Sequence, residues 1–251
     1  MERVTTKRSE PSRSYVHAMA AYDAIYFDLD STLCDPIQDP DTLLAGTFED
    51  AGIEPFCTPA DLRAAIPDLP TAETAREFYE SLFSTVATQA DSHVQDQLGS
   101  DGATELAAAY LERKDPTAVE FRPGAKAALE FAREQGPVGL ITNGGRETQT
   151  QKLRALDIED AFDVRVFTDP AAGIFPKPDT APFEYALRAL EATPETAVHI
   201  GDSLHADVGG ANTMGLDSAW IELEDQVQHG DPTVHQPTYE LSTLESFETI
   251  F

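Results

Sequence analysis

The sequence predicts an α/β fold in which helices cover both faces of a parallel sheet and an all-helical segment is inserted near its start. From Pro123 onward, short apolar runs of strand length alternate with segments of helical periodicity, a pattern typical of parallel sheets. Between Asp35 and Val119, apolar residues recur at helical spacing. We therefore predict a core formed by residues 20–34 and 120–251, and an all-helical insertion formed by residues 35–119.

The individual elements follow from periodicity. In the insertion, helices are predicted at residues 41–51, 59–65, 71–90 and 103–113. The apolar stripe of the third helix, which includes Phe78, Leu82 and Phe83, is interpreted as core packing. The core begins with a strand that ends at Phe27. It continues with helices at residues 125–134, 147–156 and 182–190, and with strands at residues 138–141, 164–167, 197–200, 219–222 and 239–241. A polar loop through Gly230 and Pro237 precedes the last strand, and a short helix follows it.

The charge of the chain excludes polyanionic partners. Its 251 residues include 45 acidic and 17 basic residues, which give a formal net charge of -28. Such a charge repels nucleic acids and anionic lipid surfaces, and no apolar run is long enough to span a bilayer. Molar salt shortens the Debye length to about 3 Å and suppresses self-repulsion. The composition is typical of a halophile's cytoplasmic protein; a mildly acidic mesophilic protein is the alternative.

The ends and the cysteines carry little functional signal. Residues 1–19 are polar and lack the apolar centre of a secretory signal, so we predict a cytoplasmic protein with a disordered tail, or translation that starts at Met19. Cys34 and Cys57 are too few for a disulfide framework. Cys34 lies near the first motif described below, and we interpret it as a small buried residue instead of a redox-sensitive thiol.

Acidic, hydroxyl and cationic residues follow the predicted strands. The first strand runs into Asp28 and Asp30, and Thr142 follows the strand at 138–141. Asp202 and Asp207 follow the strand at 197–200, whereas Lys177 lies on a loop. Because ligands of parallel sheets bind beyond the carboxyl ends of the strands, we expect these side chains to converge.

In this order the four segments resemble the motifs of the haloacid dehalogenase-like (HAD) superfamily. Those motifs are an Asp-x-Asp-x-Thr start, a Ser or Thr after a strand, a Lys, and a Gly-Asp-x-x-x-x-Asp end, and all four are present here. The resemblance implies a Rossmann-like core interrupted by a helical cap, as in the subfamily that contains phosphoglycolate phosphatase, beta-phosphoglucomutase and haloacid dehalogenase. It covers about residues 22–251.

The resemblance also implies a reaction. In the family's mechanism Asp28 would attack phosphorus to give an aspartyl-phosphate, while Asp30 would protonate the leaving alkoxide and then deprotonate the attacking water. Mg²⁺ would be held by the Asp28 carboxylate, the Asp30 backbone carbonyl and Asp202. Asp207 would orient these ligands. His199 and His205 flank the acidic pair and are not expected to bind the metal.

The remaining motif residues are implied to bind the phosphate of a small phosphorylated metabolite. Thr142 would donate its hydroxyl to a phosphate oxygen, helped by backbone amides near Asn143 and Gly144. Lys177 would act as a point charge on the phosphoryl group and on the nucleophile. The oligomeric state is not predicted.

The same residues argue against two other activities of the family. Haloacid dehalogenases generally lack the second aspartate of the first motif, so Asp30 argues against dehalogenation. Phosphonatases use a cap lysine just after that motif, whereas Lys114, the only lysine of the insertion, lies near its end. Family members often carry Gly or Asn where this chain has Ser31, which leaves fine specificity open.

Two alternatives remain open. A phosphomutase shares the whole catalytic set, and Arg63, Arg76 and Arg113 of the insertion could bind a second phosphate or simply be solvated. A non-catalytic relative that retains a metal or phosphate site is the other alternative. Its expected signature is the loss of Asp28, Asp30 or Lys177, and none of these is lost.

Overall fold

The fold is taken from a computed structural model that describes residues 22–90, 94, 98–223 and 234–251. The predicted tail at residues 1–19 and the part of the polar loop around Gly230 lie outside the described residues.

The core contains a six-stranded sheet whose described strand pairs are all parallel. Its spatial order is β5-β4-β1-β6-β7-β8. The strands are β1 Ala24–Phe27, β4 Val138–Gly145, β5 Val164–Thr168, β6 Ala197–Gly201, β7 Asp217–Ile221 and β8 Tyr239–Leu241. The predicted parallel α/β core is confirmed.

Both faces of the sheet are buried, and β1 shows why. Its side chains alternate between two hydrophobic clusters: Ile25 and Phe27 belong to one, Ala24 and Tyr26 to the other. All four residues are fully buried, as expected of a central strand that is covered by helices on each side. The covering helices, numbered after those of the insertion, are α5 Ala125–Gln135, α6 Arg146–Ala155, α7 Ala181–Ala189 and α8 Gly209–Met214, and a 3₁₀ helix at Leu244–Ile250 closes the chain.

The insertion contains helices and has a hydrophobic core of its own. Its helices with fully described bounds include α1 Pro40–Ala51, α2 Pro59–Ala65, α3 Ala75–Gln89 and α4 Gly102–Arg113. Leu44, Phe83 and Leu106 are among the residues buried between them. The third helix starts later than the predicted residue 71, because the Thr74 side chain accepts a hydrogen bond from the Glu77 amide and caps the helix there. Within the described residues, no helix has the length and apolar character needed to cross a membrane.

A short ribbon joins the two ends of the insertion. Strands β2 Cys34–Pro36 and β3 Val119–Phe121 pair antiparallel, and an ion pair of 2.5 Å between Arg122 and Asp35 reinforces them. Periodicity did not predict these strands, because three residues are too few to show alternation. The ribbon brings the entry and exit of the insertion together beside the end of β1.

Candidate active site

The strand order places the predicted site residues together. Strand β1 lies between β4 and β6, so Asp28 and Asp202, which follow β1 and β6, and Thr142, in the last part of β4, lie at the same edge of the sheet. Strand β4 extends four residues beyond the predicted 138–141, and its register shifts between Thr142 and Gly145. The motif residues Thr142 to Gly144 therefore belong to the strand itself.

Lys177 is the centre of the site. Its Nζ atom donates to Asp28 Oδ1 at 2.7 Å, to Asp207 Oδ1 at 2.6 Å and to the carbonyl oxygen of Ile141 at 2.7 Å. Its side chain is 2% exposed. Although burial lowers the pKa of Lys177, the charges of Asp207 and Asp28 raise it above its usual range. Lys177 is therefore a permanent cation in direct contact with the predicted nucleophile.

Asn143 fixes the loop that carries this lysine. Its side-chain amide donates to the Lys177 carbonyl at 3.0 Å, and its Oδ1 accepts from the Lys177 backbone amide at 2.7 Å. The Gly144 backbone amide donates to Thr142 Oγ1 at 3.3 Å. The Asn143 side chain thus links the loop to the end of β4, a contact that the sequence did not predict.

Asp207 lies close to Asp28, the predicted nucleophile, and both of its carboxylate oxygens contact protein groups. Oδ1 contacts Lys177 and lies 2.9 Å from His199 Nε2, and Oδ2 accepts from the Ser203 amide at 3.0 Å. A Cβ atom at Gly201 would lie 2.2 Å from Asp207 Cγ, so glycine makes room for this carboxylate. Burial raises the pKa of Asp207, but Lys177 and His199 hold it below its usual range. Asp207 is therefore placed to orient its neighbours.

Three carboxylates form a cluster that fits a divalent cation. One oxygen each of Asp28, Asp202 and Asp207 lies within 4.8 Å of the others. Burial, opposed by Lys177 and assisted by Asp207, raises the pKa of Asp28 to about 7. Burial, assisted by the charges of Asp207 and Asp28 and opposed by Lys177, also raises the pKa of Asp202. A cation would neutralise this crowded negative charge. Carboxylate oxygens are the ligands that Mg²⁺ prefers, so the donor set fits the predicted metal.

Asp30 occupies a separate position, turned toward helix α6. Gln149 Nε2 donates to Asp30 Oδ2 at 2.7 Å, and Lys152 Nζ donates to Asp30 Oδ1. Burial raises the pKa of Asp30, but the charge of Lys152 and the bonds from both residues lower it below its usual value. Its side chain is nevertheless 45% exposed. Asp30 therefore contacts α6 through both carboxylate oxygens while almost half of its side chain stays exposed to solvent.

Sequence reasoning missed Gln149 and Lys152. They are 1% and 8% exposed on a helix where Leu153 is the only buried apolar residue. The signal was present in the sequence: a helix with so few apolar residues can pack against the sheet only by burying polar ones. Such burial requires polar partners, and in the structure Asp30 is the partner of both residues.

The cationic residues of the insertion fall into two groups. Of the three arginines predicted as possible ligands of a second phosphate, Arg76 and Arg113 form surface ion pairs with Glu80 and Asp50. The third, Arg63, is exposed. Lys114 instead donates to Tyr79 Oη at 2.5 Å, and its charge contributes to the lowered pKa of Asp30. Lys114 is therefore the cation of this group that lies within electrostatic reach of the site.

Ser31 has a backbone conformation that explains the family's preference at this position. Its φ angle is 61°, in the left-handed region where Gly and Asn are favoured. The turn directs the chain from Asp30 to the buried Thr32, whose hydroxyl lies 3.3 Å from Asp202 Oδ1. Serine thus keeps the turn at the expense of backbone strain.

Known proteins are similar to this chain in sequence. A family profile described as haloacid dehalogenase-like hydrolase matches residues 22–215. A glyceraldehyde 3-phosphate phosphatase from Pyrococcus furiosus is 27% identical over 210 residues, 81% of this chain and 82% of the relative. A ribulose-1,5-bisphosphate 5-phosphatase from Halopiger xanaduensis is 33% identical over 142 residues, 54% of this chain and 56% of the relative.

Solved structures agree with the fold. The HAD hydrolase YfnB from Bacillus subtilis, solved bound to magnesium, superposes with a TM-score of 0.68 at 25% identity and covers 91% of this chain and 98% of its own. A predicted phosphoglycolate phosphatase from Haemophilus somnus gives 0.71 at 18% identity, with 92% and 99% covered, and supports the fold alone. The resemblance predicted from the four motifs is confirmed, and the chain belongs to the haloacid dehalogenase-like hydrolase family.

Proposed function

We propose that this chain is a Mg²⁺-dependent phosphohydrolase that acts on a small phosphate ester through an aspartyl-phosphate formed on Asp28. The family match and the phosphatases among its relatives make it a phosphatase of the HAD type. The metal, the covalent intermediate and the residue roles are the finer parts of the proposal.

The observation that carries the proposal is the contact between Lys177 and Asp28. A carboxylate is a weak nucleophile toward a phosphate ester, because both are negatively charged. A buried ammonium that contacts the carboxylate at 2.7 Å orients one oxygen and offsets the charge of the incoming phosphoryl group. Among the described hydrogen bonds, the one to the Asp28 side chain goes to Oδ1. The other oxygen, Oδ2, would therefore be free to attack phosphorus.

Asp30 would complete the reaction. Asp28 forms a bond to phosphorus while the ester P–O bond breaks, and the electron pair left on the ester oxygen takes the proton of Asp30. The resulting Asp30 carboxylate then removes a proton from the water that cleaves the aspartyl-phosphate. The lowered pKa of Asp30 makes its acid form a stronger proton donor toward the leaving oxygen, and the negative charge of a bound phosphate favours the protonated form that the first step requires.

The other motif residues would bind the phosphate and the metal ion. Thr142 is 3% exposed and presents its hydroxyl beside the amides that follow it, where a phosphate oxygen would be held. Asp28, the Asp30 carbonyl and Asp202 would hold Mg²⁺, and Asp207 would keep Lys177 in place. The metal would supply Lewis-acid stabilisation of negative charge on the phosphoryl oxygens.

The position of the helical insertion beside the site supports a small substrate. We propose that residues 35–119 act as a cap over the edge of the sheet, as their ribbon connection beside β1 suggests. A closing cap would exclude bulk water and phosphoproteins alike. We further propose a cytoplasmic, halophilic protein that binds neither nucleic acid nor membranes, on the basis of its net charge of -28.

The proposal is tested by phosphate release in molar KCl. Mg²⁺-dependent turnover of p-nitrophenyl phosphate and of a panel of phosphorylated metabolites is measured for the native chain, Asp28→Asn and a control, Asp160→Asn, at an exposed acid. We expect Asp28→Asn to abolish turnover and the control to retain it. Acid quenching with a radiolabelled ester should trap label on the native protein only. Turnover that survives Asp28→Asn contradicts the proposal, and metal binding without any turnover favours the non-catalytic alternative.

A further inference from the structure

Helix α6 supplies both donors to the carboxylate of Asp30. One donor comes from Gln149 at 2.7 Å and the other from Lys152, and the two bonds go to different carboxylate oxygens. Two bonds to two oxygens fix the plane of a carboxylate as well as its position. Since each oxygen retains a second lone pair and almost half of the side chain is exposed, the same carboxyl group can still contact a substrate.

Gln149 also connects Asp30 to the phosphate-binding hydroxyl. The Nε2 atom that contacts Asp30 lies 2.9 Å from Thr142 Oγ1. A Cβ atom on Gly144 would lie 1.9 Å from this Nε2, so the amide can cross the end of β4 only where residue 144 has no side chain. Gly144 therefore has a role besides offering its backbone amide: it leaves the space that Gln149 occupies.

Core packing alone does not explain this pair. A methionine at either position would retain most of the apolar contact, whereas burying an amide and an ammonium carries a desolvation penalty unless partners are present. Among the described residues, Gln149 Oε1 has no hydrogen-bond partner, and the partners of Gln149 Nε2 and Lys152 Nζ are Asp30 and Thr142. Both are residues to which the proposed reaction gives a role.

We propose that Gln149 and Lys152 are positioning residues that hold the Asp30 carboxyl group at the leaving-group oxygen, with Gln149 fixing its placement relative to the phosphate bound at Thr142. The inference rests on the proposed function, because it assigns a purpose to Asp30 only if Asp30 transfers a proton. It predicts that their loss impairs protonation of the leaving group more than phosphate binding.

Two aromatic esters of similar size separate these effects. p-Nitrophenolate leaves as a stabilised anion and needs little protonation, whereas the benzyl alkoxide of benzyl phosphate must receive a proton. We expect Gln149→Met to lower kcat/KM for benzyl phosphate by about 10- to 100-fold and that for p-nitrophenyl phosphate by less than about 3-fold. Gln151→Met, the same substitution at a half-exposed position of α6, should change neither.

A double-mutant cycle makes the test specific. If Gln149 acts through Asp30, then Gln149→Met should have no further effect on the ratio of the two rates once Asp30→Asn is present. Equal losses on both esters, or unchanged ratios, would overturn the inference and leave a packing role. Lys152→Met provides a second, independent variant should Gln149→Met fail to fold, and circular dichroism identifies such a failure.

Failure of the inference is distinguishable from failure of the proposed function. A native enzyme whose turnover depends on Asp28, together with an Asp30→Asn variant that selectively loses benzyl phosphate, would uphold the proposed function whatever the α6 variants do. An Asp30→Asn variant that affects both esters equally would contradict the proton-transfer role of Asp30, and the inference would fall with it.

Discussion

Replacing Lys177 with methionine should destabilise the folded protein strongly and in a pH-dependent way. The lysine contacts Asp28 and Asp207, and its side chain is 2% exposed. Removing one partner of a buried ion pair typically costs about 3–5 kcal/mol, because the remaining charge stays buried. For a chain of this size, about 1 kcal/mol shifts Tm by roughly 2–4 °C, so the expected decrease is about 6–20 °C.

The sign of the pH dependence follows from the carboxylates. In the native chain Lys177 holds the pKa of Asp207 low, so this contribution is present above the unfolded pKa and is lost as the pH falls. Without the lysine, Asp28, Asp202 and Asp207 would all have raised pKa values in the folded state. Their contribution is then favourable only below the unfolded pKa, near 4, and is lost as the pH rises toward about 7 and above. The destabilisation should therefore be small near pH 5 and large at pH 8.

The measurement is urea unfolding at fixed KCl and with EDTA, followed by circular dichroism at several pH values. Lys126→Met, the same substitution at an exposed lysine of α5, is the control and should change stability by less than about 0.5 kcal/mol. A destabilisation below about 1 kcal/mol at pH 8, or one that is constant between pH 5 and pH 8, would refute the view that Lys177 offsets a buried carboxylate cluster.

A chemical modification and a substitution test local features of the structure. Burial raises the pKa of the Cys34 and Cys57 thiols to about 12, so alkylation by iodoacetamide at pH 8 should be at least about 100-fold slower in the folded than in the urea-unfolded chain. Comparable rates would revive the redox-thiol hypothesis. Ser31→Gly should raise the free energy of unfolding by up to about 1 kcal/mol, because it relieves a left-handed φ at a smaller entropic penalty; a loss of stability in urea unfolding would show that the serine side chain contributes more than its backbone strain.

Much of the fold was predictable because its signals are local. The strand at 239–241 and the helix at 59–65 match their predicted bounds. The start of the helix is marked by the Thr58 cap and Pro59, and Pro67 follows its end. Strand β4 was predicted too short, because its last residues, Asn143 to Gly145, are polar or lack side chains and carry no strand periodicity. Pairing with β5 holds them in the sheet, and sheet pairing is not visible in one segment of sequence.

The candidate site likewise contains residues that the sequence predicts and residues that it does not. Asp28, Thr142, Lys177 and Asp202 were predictable because each follows a predicted strand or matches a family motif. The strand order brings the three residues other than Lys177 together, and Asn143 holds the loop of Lys177 beside them. Gln149 and Lys152 lie on no strand end and match no motif that we recognised. What identifies them is that α6 packs against the sheet although Leu153 is its only buried apolar residue. A helix that buries polar groups needs partners for them. Asp30 and Thr142 are the described partners of Gln149 Nε2, and Asp30 is that of Lys152 Nζ, whereas Gln149 Oε1 has no hydrogen-bond partner among the described residues. Polar residues on a buried helix face beside a strand end therefore indicate polar partners at that edge of the sheet.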